Sequence, residues 1–132
     1  MIASEVIKKG ASILKNKKIL SYQLDSELIL SKVLKKRREN LIVNDKIDVS
    51  AKNIKNFEKL IEKRSKRQPL AYIFKEKEFW KHIFYINNHS LIPRPETELM
   101  VEGVLKIFKS KRFMILDIGT GSGEFIKTIK YN

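Results

Sequence analysis

Three glycines, Gly119, Gly121 and Gly123, alternate with Thr120 and Ser122 behind an aspartate, Asp117, and lead into an apolar run from Glu124 to Tyr131. Glycine lets a backbone turn tightly and lets a ligand approach without a Cβ in the way. A strand that ends in such a loop and continues as a helix is therefore a place for a nucleotide-type cofactor. An ordinary tight turn has the same composition, so the glycines alone leave both readings open. Spacing excludes two other loops. The dinucleotide fingerprint needs a glycine where Glu124 stands. The phosphate loop of ATPases ends in Gly-Lys-Ser or Gly-Lys-Thr, which does not occur here. Metal chemistry finds little support, because the chain has no cysteine and only two histidines, His82 and His89, at no metal-ligand spacing.

Upstream of the loop, Phe113 to Ile118 is a short apolar run of the kind expected for a buried parallel strand. Before it, Pro93 and Pro95 stiffen the chain, and Pro95 suits the first position of a helix with Glu96 and Glu98 in the first turn near the exposed amides. Met100, Val101, Val104, Leu105 and Phe108 continue that helix on one face, with Lys109, Lys111 and Arg112 near its end. Arg94 and Glu96 are read first as a local ion pair and helix-start chemistry, and second as substrate contacts.

Residues 1–67 read as a helical module without proline and with one glycine, Gly10. Ile2, Val6, Ile13 and Leu14 mark a first amphipathic segment. Leu24, Leu28, Val33 and Leu34 mark a second, beginning near Ser21, and Arg38 to Ile42 makes a short third. Asp48 or Ser50 caps a fourth, in which Ile54, Phe57, Leu60 and Ile61 form one stripe. All four stripes are expected to pack as core. Gln68-Pro69 breaks the helical pattern. Phe79, Trp80, Ile83, Phe84, Tyr85 and Ile86 then give strand or hairpin chemistry, with a turn at Asn87-Asn88. Phe79 and Trp80 are expected in the core, and the histidines in loops or on the surface.

The formal net charge is +13 at pH 7, with 28 lysines and arginines against 15 acids. The basic residues are spread along helices, which favours solvated faces over a dedicated nucleic-acid surface. Lys35, Lys36, Arg37 and Arg38 form the densest cluster, followed by Lys63, Arg64, Lys66 and Arg67. No apolar stretch approaches a membrane span. An acidic Glu5 before the first lysines is the reverse of a secretory signal, and with the lack of cysteine it points to the cytoplasm.

Four segments occur together and in order: Gln68-Pro69-Leu70-Ala71-Tyr72-Ile73, Glu78-Phe79-Trp80, Leu91-Ile92-Pro93-Arg94-Pro95-Glu96-Thr97-Glu98, and Leu116-Asp117-Ile118-Gly119-Thr120-Gly121-Ser122-Gly123. This set resembles the protein-(glutamine-N5) methyltransferases, closest to the enzymes that act on class I peptide-chain release factors. The Arg-Pro-Glu-Thr-Glu element is the most diagnostic. Asp25-Ser26-Glu27-Leu28-Ile29-Leu30 is similar to part of that family's substrate-docking domain. Lys75 and Lys81 depart from the pattern, standing at or near points where family members have glycine.

The resemblance implies an α+β chain. It would comprise an N-terminal helical docking domain (1–67), a β-hairpin linker (68–90) and the start of a class I, Rossmann-like methyltransferase domain (91–132). It implies S-adenosylmethionine as cofactor, with Gly119, Thr120, Gly121, Ser122 and Gly123 in contact, Asp117 organising the ligand's ammonium group, and Thr97 close by. The implied partner is a release factor, with no direct nucleic-acid or membrane partner, and the chain acts as a monomer. The family's Asn-Pro-Pro-Tyr motif and its ribose-binding acid lie beyond the glycine loop and do not occur here. The resemblance therefore implies an N-terminal part that carries no catalytic group and is inactive alone. Two other readings are a ribosomal-protein glutamine methyltransferase and a non-catalytic basic helical module left by truncation.

Overall fold

The computed structural model describes residues 1–44, 46–109 and 113–131. By internal contacts the chain divides into two units, Met1–Ile73 and Phe74–Asn132.

The first unit is helical. Helix α1 (Ala3–Asn16) begins where the Glu5 carboxylate accepts the Ile2 amide at 3.2 Å, satisfying a donor that the helix itself leaves open. It buries Ala3, Val6, Ile7, Gly10, Ala11 and Leu14. Ile13, expected in this stripe, is 39% exposed, because the buried face runs through Gly10 and Ala11. At Gly10 a Cβ would lie 2.5 Å from Phe57 Cζ and 2.7 Å from Ser26 Oγ, so the missing side chain is what admits both neighbours. Met1 and Ile2 are held beside the segment before α4, through Val49 N–H to Met1 O and Ala3 N–H to Ile47 O.

Helix α2 (Tyr22–Leu34) corrects the expected stripe. Leu24 is 44% exposed, whereas Asp25, Ser26 and Glu27 are buried with Ile29 and Leu30. The inward polar groups are all bonded, as burial requires. Ser26 Oγ donates to Ile7 O at 2.8 Å, Arg64 Nε to Asp25 Oδ2 at 2.7 Å, and Arg38 Nε to Glu27 Oε2 at 2.7 Å. Those arginines come from α3 (Arg38–Val43) and α4 (Ala51–Ser65). Of the two proposed caps for α4, Ser50 is the one used, accepting the Asn53 amide at 3.3 Å, while Asp48 pairs with the N-terminal amine at 3.2 Å. Phe57 and Ile61 of α4 are buried.

Helix ends in this unit share an unusual feature. Lys18, Lys35 and Arg67 follow α1, α2 and α4 with φ of 55°, 52° and 64°, the left-handed conformation that glycine usually supplies at a helix terminus. Pro69 then opens the short α5 (Leu70–Phe74).

In the second unit β1 (Glu76–Phe79) and β2 (His82–Tyr85) pair antiparallel, from Glu76 opposite Tyr85 to Phe79 opposite His82. Phe79 and Phe84 are buried with ring centroids 6.2 Å apart, edge to face. Trp80 is in the turn rather than the core, with φ of 57°, and Lys75 before β1 has φ of 59°. A residue with a Cβ bears a backbone cost at such angles. His82 lies in β2, edge-on to Phe84 at 6.3 Å, while His89 occupies the exposed turn after Asn87, whose Oδ1 accepts the His89 amide at 2.9 Å.

Helix α6 (Glu96–Ile107) begins one position later than expected, with Pro95 as its cap, and buries Val101. Lys111 and Arg112 lie outside the described residues. The segment Phe113 to Ile118 is not a strand among the described residues. Met114 is 100%, Leu116 85% and Ile118 86% exposed. A parallel strand is held by bonded neighbours and covered on both faces, and here the only described sheet is the two-stranded hairpin. Helix α7 (Glu124–Lys130) follows the glycine loop and packs against α6. The described architecture is thus α+β. No described helix is long and apolar enough to cross a membrane.

Candidate functional site

The glycine loop has the backbone its sequence calls for. Gly119, Gly121 and Gly123 have φ of 77°, 59° and 77°, a region that residues with a Cβ enter only at a cost. Space around them is open: a Cβ at Gly119 or Gly123 would meet nothing within 4 Å. At Gly121 the nearest atoms are the Glu124 carboxylate oxygens at 3.7 and 3.9 Å. Glu124, the residue that excludes a dinucleotide fingerprint, thus folds back beside the loop and accepts a hydrogen bond from Ser122 Oγ. Thr120 O accepts the Gly123 amide at 2.9 Å and closes the turn into α7. Thr120 itself is exposed.

Behind the loop, Asp117 is half-buried, and its Oδ2 is withdrawn from solvent with no hydrogen-bond partner among the described residues. A buried carboxylate oxygen without a donor is costly, which marks this atom as an acceptor suited to a cationic group. Asp117 and the loop are therefore brought together. Thr97 is on α6, half-buried, its amide bonded to Arg94 O at 3.1 Å, and no hydrogen bond joins it to the loop among the described residues. Arg94 and Glu96 are both exposed and form no ion pair among the described residues. They remain helix-start residues.

Sequence reasoning missed Glu98. Its Oε1 accepts the Trp80 amide at 2.7 Å, tying the strained hairpin turn to the first turn of α6. Nothing local signals this, since the two residues are 18 positions apart. Beside the loop, His82, Phe84, Tyr85, Ser122, Lys127 and Tyr131 line a shallow cleft between β2 and α7. No group of three or more His, Cys, Asp or Glu among the described residues could hold a metal ion.

Residues 5–74 match a family model described as the PrmC N-terminal domain, a span that coincides closely with the first unit. Among curated proteins, the chain is 46% identical over 101 residues to a release factor glutamine methyltransferase of Buchnera aphidicola from Acyrthosiphon pisum, covering 76% of this chain and 36% of that protein. It is 38% identical over 132 residues to one from Clostridium botulinum, covering 99% of this chain and 47% of that protein. A relative of the same description from Leptospira interrogans is 41% identical over 120 residues, 89% of this chain and 42% of that protein. The chain spans less than half the length of each of these relatives.

Proposed function

The chain belongs to the family of the PrmC N-terminal domain, and on that premise we propose that it serves the methylation of a glutamine side-chain amide in a class I peptide-chain release factor, with S-adenosylmethionine as methyl donor. In this reading residues 1–67 dock the protein substrate, residues 68–90 link, and residues 91–132 begin the methyltransferase domain. The relatives' shared description as release factor glutamine methyltransferases supports the substrate. The observation that carries the cofactor is the left-handed backbone at Gly119, Gly121 and Gly123 beside an unpartnered Asp117 oxygen.

These residues fit the donor. The open space over Gly119 and Gly123 admits a ligand against the backbone, and Asp117 Oδ2 offers an acceptor for an ammonium group. Thr120 and Ser122 contribute hydroxyls at the loop, and Thr97 lies on the neighbouring helix. When bound, S-adenosylmethionine supplies a methyl group on a positively charged sulfur. An amide nitrogen is a poor nucleophile because its lone pair is shared with the carbonyl. Most of the rate must therefore come from fixing the nitrogen in line with the methyl and accepting its N–H groups. The residues of this chain orient and bind; none is assigned a proton transfer.

Titration calorimetry with S-adenosylmethionine on the protein expressed from its whole reading frame tests the reading. Saturable binding is expected, lost in Gly121→Val while circular dichroism stays unchanged. Equal affinity in the folded variant would remove the loop from the site.

A further inference from the structure

Helices α2 and α4 pack against each other. Asp25 near the start of α2 meets Arg64 near the end of α4, while Val33 near the end of α2 shares a groove with Asn56 and Leu60. Helix α4 consequently has two working faces. Phe57 and Ile61 fill the core, while Asn56, Lys59, Leu60 and Lys63 recur at three and four positions along the groove. Val33 and Leu60 are half-buried and form an aliphatic floor, and Lys32, Lys59, Lys63 and Lys66 rise around it. Lys32 also lines an adjoining hollow with Lys35, Lys36 and Arg37, so the basic strip continues past the end of α2. The acid within the groove, Glu62, pairs with Lys66 of the same wall at 2.7 Å, and that hydrogen bond and charge hold its carboxyl below the usual carboxylate range.

We propose that this groove docks an acidic, amphipathic segment of a protein partner. Its apolar side chains would rest on Val33 and Leu60, and its carboxylates would face the surrounding lysines. Charge complementarity is the first ground: a wall of ammonium groups in a chain of net charge +13 attracts and orients an acidic segment. The aliphatic floor is the second, because it rewards a ligand that also carries apolar side chains. A nucleic acid fits less well. Single strands stack their bases on aromatic rings, and neither hollow is lined by one, while a phosphate backbone would leave the floor uncovered. The groove lies wholly within the first unit, so the inference refines the reading of residues 1–67 as the docking domain and rests on it, while its test needs no methyl transfer.

Fluorescence anisotropy of the whole protein provides the test. One labelled probe is a synthetic helical peptide with glutamates and leucines on adjoining faces; a second has the same composition scrambled, and a third is an oligouridine RNA of equal charge. The patterned peptide is expected to bind at least about tenfold more tightly than the scrambled one. Joint Lys59→Glu and Lys63→Glu replacement is expected to weaken it by about tenfold and to flatten its salt dependence. Leu60→Gln, which leaves the charge unchanged, is expected to bring the patterned peptide to the level of the scrambled one, with circular dichroism confirming that each variant folds. Equal binding of the two peptides, binding of neither, or tighter RNA binding indifferent to Leu60→Gln would each overturn the proposal.

Discussion

Arg64 Nε donates to Asp25 Oδ2 at 2.7 Å across the interface of α2 and α4, with side-chain exposures of only 19% and 6%. Ser21 Oγ donates to the same oxygen at 2.8 Å, and Arg64 Nη1 also donates to Gln68 O at 3.2 Å. One arginine thus links the inward face of α2 to the residue before Pro69. Removing one partner strands the other charge away from water. Arg64→Ala is expected to destabilise the protein by about 3 to 5 kcal/mol in urea unfolding. The double change Asp25→Leu with Arg64→Met should cost clearly less, because no charge is left alone; equal losses in the two variants would contradict this.

At Gly10, α1 lies against Phe57 of α4 and Ser26 of α2. A methyl group there would sit 2.5 Å from Phe57 Cζ and 2.7 Å from the Ser26 hydroxyl, which is itself held by Ile7 O. Gly10→Ala gains helix propensity but must push these neighbours aside. A net loss of about 1 to 3 kcal/mol is expected from thermal unfolding, partly restored by Phe57→Leu. A stabilised Gly10→Ala variant would show that the helices are further apart than described.

Lys18 is exposed and takes a left-handed backbone directly after α1. Its amide N–H donates to Lys15 O at 2.9 Å, a backbone hydrogen bond that survives substitution. Lys18→Gly relieves the Cβ strain of about 1 to 2 kcal/mol, less the entropy that glycine adds to the unfolded chain. The expected outcome is an unchanged or slightly higher unfolding midpoint, whereas Lys18→Val should lower it. A Lys18→Gly variant that melts well below the parent would contradict the assignment.

Residues Ile115 to Ile118 lie in no helix or strand, and the apolar side chains of Leu116 and Ile118 are exposed. Their amides should exchange with solvent far faster than those of Val6 or Phe57 when the 132-residue chain is examined by hydrogen-exchange mass spectrometry. Such a segment is a poor support for the loop that follows it, so the 132-residue chain alone should bind S-adenosylmethionine weakly. Slow exchange at Leu116 and Ile118 would show that the strand forms within these residues.

The parts legible in sequence were those whose signal is local. Pro69 and Pro95 mark breaks because of their own rings, Ser50 caps because of its own hydroxyl, and the three loop glycines have the positive φ their type suggests. The inward face of α2 was illegible. Hydrophobic periodicity assigns Leu24 to the core, yet Leu24 is exposed and Asp25 and Glu27 are buried, because arginines reach them from α3 and α4. Left-handed lysines were also hidden, since nothing in a lysine announces a glycine-like backbone. The strand at Phe113 to Ile118 was read from composition, but a strand exists only where neighbours bond to it.

Mass spectrometry of glutamine-containing peptides from class I release factors, in cells with and without this gene, tests the central claim most directly. One methyl group on a glutamine amide should be present in the parent, absent from the deletion and restored by the intact gene but not by Gly121→Val. Unchanged methylation of the release factors in the deletion, or its loss from a ribosomal protein instead, would contradict the account.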